Sequence, residues 1–190
     1  MPGEPTPPQT VGPFFRPSLL DPRWTVVASD STVGERIRVE GHLRDGEGSP
    51  VSDGMIEVWQ ADPHGAYRHP AGAGSPSMDD GFVGFGRSGT DADGGFAFDT
   101  VMPGSVAGSD GSAQAAHLNV HVFARGLLDR LATRVYFDDD PSREQDPFLQ
   151  SLPEERKRTL VARRQPGTTP AVYRIDVVLQ GDDETVFFDG

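Results

Sequence analysis

Five histidines and three tyrosines stand in a chain that has no cysteine. Any metal would be held by nitrogen and oxygen, a donor set that suits Fe(III), copper or zinc and excludes thiolate chemistry, Cys-ligated zinc and disulfide stapling. The densest group is Tyr67 between His64 and His69, just after the apolar run Ile56-Glu57-Val58-Trp59-Gln60 and the turn residues Asp62-Pro63-His64-Gly65. Tyr67 is therefore expected just past a strand end, where sites are commonly built. A strand H-x-H pattern would aim two imidazoles at one ion, because residues i and i+2 share a face at roughly 6–7 Å. This chain has His117-Leu118-Asn119 instead. His117 and His121 share a face, but roughly 13 Å of strand separates them, too far for one ion with bonds of about 2 Å.

Other chemistries fail on context. Gly84-Phe85-Gly86-Arg87-Ser88-Gly89 matches a G-x-G-x-x-G fingerprint, yet Asp91-Ala92-Asp93-Gly94 and a strand Phe96-Ala97-Phe98 follow where a helix is required. The same Asp91-Ala92-Asp93-Gly94 is no calcium loop, since Phe96 and Met102 occupy its sixth and twelfth positions; it reads as a tight β-turn. No G-x-S-x-G elbow is present. Asp138-Asp139-Asp140 reads as a solvated turn.

The elements that must carry these residues are short strands. Glu35–Arg44 alternates, with Ile37, Val39, Gly41 and Leu43 on one face, and His117–Phe123 alternates likewise around Leu118, Val120 and Val122. Met55–Gln60, Thr133–Phe137, Val172–Leu179 and Thr185–Phe188 complete the expected strands. Ser151-Leu152-Pro153-Glu154 has capping-box spacing and predicts one short helix over 152–164, its basic end suited to the helix dipole. Prolines at 2, 5, 7, 8, 13, 17 and 22 predict an extended N-terminal arm over 1–23, whose Phe14, Phe15, Leu19 and Leu20 would dock on its own domain or on a partner. The pattern predicts an all-β fold, an antiparallel β-sandwich with long loops, in a single domain over 1–190.

Charge narrows the partners. Seventeen Lys plus Arg against 29 Asp plus Glu give a net charge of −12, which opposes nucleic acid and anionic membrane as partners. The first residues lack a basic segment followed by an apolar one, and no run approaches the roughly 20 apolar residues of a span, so a cytoplasmic location is expected.

Taken together, Thr10-Val11-Gly12-Pro13-Phe14-Phe15, Ile56–Asp62, Gly65-Ala66-Tyr67-Arg68-His69, Met102-Pro103-Gly104 and Ala116-His117-Leu118-Asn119 resemble, in order and over nearly the whole chain, the intradiol ring-cleaving dioxygenases. Arg134–Asp139 and Glu184–Asp189 strengthen the likeness to the accessory chain of heteromeric members. Iron-binding members hold non-haem Fe(III) with two tyrosines and two histidines. Tyr67 and His117 match two of these positions; Val106 and Asn119 stand at the other two, and Gln114 stands where catalytic members carry an arginine. The resemblance thus implies vestigial ligand positions, no metal and no catalytic residue in this chain, with Fe(III) in a partner beta chain. It implies protocatechuate and O₂ as substrates, 3-carboxy-cis,cis-muconate as product, and a place in aromatic catabolism. It further implies that Thr10 and Pro13 line a shared substrate pocket and that Arg134 lies near the carboxylate of protocatechuate, where a guanidinium makes charge-assisted hydrogen bonds. By its neighbours alone, Arg134 reads as a surface strand arginine beside Asp138–Asp140. Two other readings stay open: a self-sufficient dioxygenase that recruits His64, His69 or His121 as ligands, and a β-sandwich binding module that has lost the chemistry.

Overall fold

Alternation in the sequence becomes alternation in burial along β1 (Arg36–Arg44), whose Ile37, Val39, Gly41 and Leu43 point inward. Gly41 is required there: a Cβ at that position would lie 1.6 Å from the Ile175 carbonyl oxygen. The computed structural model describes residues 7–12, 14–68, 81–108 and 111–188. The other strands are β2 (Met55–Gln60), β3 (Phe85–Gly89), β4 (Gly95–Val101), β5 (Val106–Ala107), β6 (Ala113–Gln114), β7 (His117–Phe123), β8 (Leu131–Phe137), β9 (Val161–Arg164), β10 (Ala171–Arg174) and β11 (Val177–Val178).

One sheet runs in the order β11-β1-β10-β9-β8-β7-β2-β3, with β4 on the free side of β1, while β5 and β6 form a separate ribbon. Its two ends approach each other where the Ala97 amide donates to Ser88 Oγ at 3.4 Å. The sheet therefore folds over, and its two layers enclose Val27, Ile37, Val39, Leu43, Ile56, Val58, Phe98, Leu118, Val120, Val122, Val135, Phe137, Tyr173 and Val177. Burial of each large apolar side chain contributes about 1.5–3 kcal/mol. The β-sandwich is as expected, but its pairing is mixed: β1–β10, β1–β11 and β8–β9 are parallel.

The helix expected over 152–164 is half strand. Only Glu154–Lys157 is α-helical, followed by a 3-10 turn over Arg158–Leu160. Leu160 and Ala162 are fully buried, and Val161 and Ala162 pair in parallel with Tyr136 and Phe137, so tertiary pairing overrides the helical pattern. The capping box does not form either: Ser151 Oγ donates back to the Phe148 carbonyl at 2.7 Å, and Pro153 is the cap residue.

The arm is not extended throughout. Phe15–Leu19 makes one helical turn and Pro22–Thr25 a 3-10 turn capped by Asp21. Pro17 and Pro22 fall where a helix has no amide partner to lose. The arm lies on its own domain through a hydrogen bond from Arg16 to the Thr90 carbonyl, while Phe14 remains 78% exposed. Thr185–Phe188 is not a strand but makes a single bridge between Phe188 and Ala132. Asp138, Asp139 and Asp140 are not merely solvated: they accept from the Arg164 amide, the Tyr173 hydroxyl and the Ala116 amide respectively. Among the described residues no helix is long and apolar enough to cross a membrane.

Candidate functional site

Tyr67 is delivered by a tightly bonded turn after β2. Asp62 is buried, and its Oδ1 accepts from the amides of His64 at 2.8 Å and Ala66 at 2.9 Å. Gly65 has φ +84°, and a Cβ there would meet the Ser105 carbonyl oxygen at 2.0 Å, so the turn and the Met102-Pro103-Gly104 segment lock together only through glycine. This fixes Tyr67 over the outer face of β7.

Pairing between β7 and β8 supplies the rest. His117 lies opposite Tyr136 and Asn119 opposite Arg134, so all four stand on one face. His117 Nδ1 lies 2.7 Å from the Ala115 carbonyl and must donate to it, which leaves Nε2 as an acceptor. The Tyr67 hydroxyl donates to that nitrogen at 3.3 Å and accepts from Asn119 Nδ2 at 2.8 Å. Asn119 Oδ1 in turn accepts from Arg134 Nε at 3.3 Å. Arg134 Nη1 donates to the Tyr136 hydroxyl at 3.3 Å, and that hydroxyl donates to Asp146 Oδ1 at 3.3 Å. Every member of this chain from Asp146 to Ala115 has a partner of the right kind.

Electrostatics keep the groups neutral. Burial pushes the His117 imidazole down to about 4, and the nearby Arg134 charge acts in the same direction. Burial pushes the Tyr136 phenol up to about 12 and raises Tyr67 as well. A metal needs a phenolate and a free imidazole nitrogen, and here the phenol proton occupies that nitrogen. Val106, in the β5–β6 ribbon opposite Gln114, offers an isopropyl group, and Asn119 is committed between Arg134 and Tyr67. Among the described residues no group of three His, Cys, Asp or Glu can hold a metal. His64 is exposed, His121 leans toward Glu57 with Nδ1 3.9 Å from its carboxylate, and His69 lies outside the described residues. These residues do not fit an iron ion.

The substrate-lining candidates separate. Thr10 Oγ1 accepts from the Gly126 amide at 2.7 Å, in the connection from β7 to β8. Arg134 lies in the middle of β8, opposite Asn119, roughly 13 Å of strand rise from the end of β7 that leads to Gly126. Pro13 lies outside the described residues. Beside Thr10 is a cation that sequence reasoning missed, Arg125, exposed and ion-paired with Asp53; its one signal is the Ala124-Arg125-Gly126 position at a strand end. Arg134 borders a hollow of about 390 Å³ with Gln114, Asp146, Phe148 and Phe188. A larger hollow of about 920 Å³ lies across the other layer, where Arg38, Glu40, Arg174 and Asp176 pair with acids and bases of their own surroundings.

A family model described as Dioxygenase matches residues 11–181. The chain is 45% identical over 202 residues to the protocatechuate 3,4-dioxygenase alpha chain of Burkholderia cepacia, covering 97% of this chain and 96% of that one. It is 36% identical over 165 residues to the beta chain of the same enzyme from Burkholderia cepacia, covering 84% of this chain and 70% of that one. Among solved structures, the dioxygenase domain of a dioxygenase carbohydrate-binding protein fusion from Streptomyces sp. SirexAA-E superposes with a TM-score of 0.64 at 28% identity, covering 94% of this chain and 99% of that one.

Proposed function

Since the chain belongs to this dioxygenase family, we propose that it works as an alpha-type chain of a protocatechuate 3,4-dioxygenase, paired with a beta chain that holds the Fe(III). The assembled enzyme cleaves protocatechuate between its hydroxylated carbons with O₂ to give 3-carboxy-cis,cis-muconate. The observation that carries this reading is the direct bond between Tyr67 and His117, reinforced by Asn119, in the place where a self-sufficient member would need two open ligands.

In this role the chain's residues position rather than react. The polar chain from Arg134 to His117 holds the outer face of β7 and β8 in one arrangement. Thr10 and Pro13 belong to the arm and line the shared substrate pocket, with Arg125 as the cation next to the Gly126 amide that anchors Thr10. Arg134 lies near the carboxylate of protocatechuate, to which its guanidinium makes charge-assisted hydrogen bonds. A cytoplasmic location goes with this reading.

The test is to express the chain alone and with its beta partner and to measure bound iron and protocatechuate-dependent O₂ uptake. Neither iron nor uptake is expected in the chain alone, and both in the complex. Stoichiometric iron and turnover in the chain alone would reject the reading and point to His64, His69 or His121 as substitute ligands.

A further inference from the structure

We propose that the hollow of about 920 Å³ across the outer face of β4, β1, β10 and β9 binds a small polycarboxylate, with Arg163 and Arg174 as its anchoring cations. Strand register sets its floor, a rung of Ala97, Glu40, Arg174 and Arg163. The small residues of β4 in its lining, Gly95 and Ala97, leave the trough open beside the long side chains of β10 and β9. Five arginines, Arg38, Arg44, Arg158, Arg163 and Arg174, line it against three carboxylates, Glu40, Asp91 and Asp176. The whole chain has the opposite balance, 17 basic against 29 acidic residues, so the positive charge is gathered here locally.

Three of these arginines have an acid each: Arg38 meets Asp99 at 2.9 Å, Arg44 meets Asp176 at 3.6 Å and Arg158 meets Asp183 at 2.7 Å. The other two are not matched in this way. Arg163 is exposed, and among the described residues no side chain pairs with it. Arg174 must share Glu40, whose Oε1 accepts from Arg174 Nε at 2.7 Å while Oε2 accepts from Arg38 Nε at 3.3 Å. Both oxygens of Glu40 are thus engaged, and the Nη groups of Arg174 stay open. Arg163 and Arg174 are directly opposed in the antiparallel β9–β10 pair, where Cβ atoms stand roughly 4.5–5.5 Å apart and like charges destabilise. An anion bridging the two relieves that repulsion.

The arrangement selects the anion. Each guanidinium is a planar fork that takes one carboxylate in a bidentate fashion, so two forks side by side suit two carboxylates on one small skeleton. Glu40, next in the rung, repels negative charge beyond Arg174 and confines the anion to the β10–β9 side, which Thr159 and Arg158 close. The ring-opened product of the proposed function carries three carboxylates and falls in this class; that identification rests on the proposed function, and the trough does not.

The experiment titrates the assembled alpha–beta complex with propane-1,2,3-tricarboxylate by calorimetry at low ionic strength and follows protocatechuate-dependent O₂ uptake separately. Arg163→Gln should weaken binding at least about tenfold, and Arg163→Gln combined with Arg174→Gln should abolish it, with O₂ uptake retained. Glu40→Gln should tighten binding severalfold, an effect that damage to the fold does not imitate. Propionate, with a single carboxylate, should fail to fill the site. No binding to the wild-type complex, or binding indifferent to Arg163→Gln and Glu40→Gln, overturns the inference. Equal binding of propionate or of inorganic phosphate overturns it too, since either would reduce the trough to an unselective basic patch. A complex that turns over protocatechuate but does not bind the tricarboxylate sinks this inference alone, whereas a complex without turnover sinks the functional reading.

Discussion

At the scale of the residue, the decisive substitution is the amide at 119. An imidazole there could present a lone pair to a metal, whereas the Asn119 amide donates to Tyr67 and accepts from Arg134, converting would-be ligands into a closed hydrogen-bond chain. The chain has a measurable pH signature. His117 titrates at 6.5 when unperturbed and about 4 when folded, so its folded-state pKa is depressed and the unfolded state binds the proton more readily in between. Its contribution is present above pH 6.5 and lost as pH falls toward 4, a loss of about 3 kcal/mol in all. At the alkaline end Tyr136, raised from 10.0 to about 12, makes stability fall as pH rises through that window. Urea titrations across pH should show the acid limb, and His117→Gln should flatten it; an unchanged slope in that variant would remove His117 as its source.

At the scale of the element, the stretch from Asp138 to Arg164 shows how a local signal yields to a tertiary one. Ser151 and Glu154 have the spacing of a helix start, but the cap that matters is Asp146, which precedes the helical turn Pro147–Gln150 and gathers three backbone amides and the Tyr136 hydroxyl. Removing a capping side chain costs about 0.5–2 kcal/mol, and stranding buried donors costs about 1–3 kcal/mol more. Asp146→Ala should therefore lower stability by at least about 2 kcal/mol, while Ser151→Ala, an exposed hydroxyl bonded within one turn, should stay within about 0.5 kcal/mol. Chemical denaturation of the two variants ranks them, and a Ser151 variant as damaged as the Asp146 variant would restore the capping-box reading.

At the scale of the whole molecule, the sheet sorts its two faces into different jobs. The inner face is apolar core, and the outer face of β3, β2, β7 and β8 carries a rung of Phe85, Trp59, Asn119 and Arg134, joining an aromatic patch to the polar chain. The arm frames this face with little support, since of its described residues before Pro13 only Val11 is half-buried and Thr10 makes one hydrogen bond. Deleting residues 1–12 should accordingly change the unfolding free energy of the isolated chain by less than about 1 kcal/mol, yet raise the KM of the assembled enzyme for protocatechuate severalfold. Equal KM for the truncated and complete complexes would place the arm outside the reaction.

Strand content, the inward set of β1 and β7 and the turn that launches Tyr67 were all legible in the sequence, because period-two alternation and turn chemistry are local properties. The family likeness was legible from motifs for the same reason. Tertiary structure alone decided that residues 161–164 leave their helical pattern to pair with β8, that the acidic run at 138–140 accepts from two backbone amides and the Tyr173 hydroxyl, and that Arg134 borders Phe148 and Phe188 while Thr10 stands by the β7–β8 connection. Those outcomes depend on which strand lies next to which, and burial across that pairing outweighs the few tenths of a kcal/mol per residue by which local propensities differ.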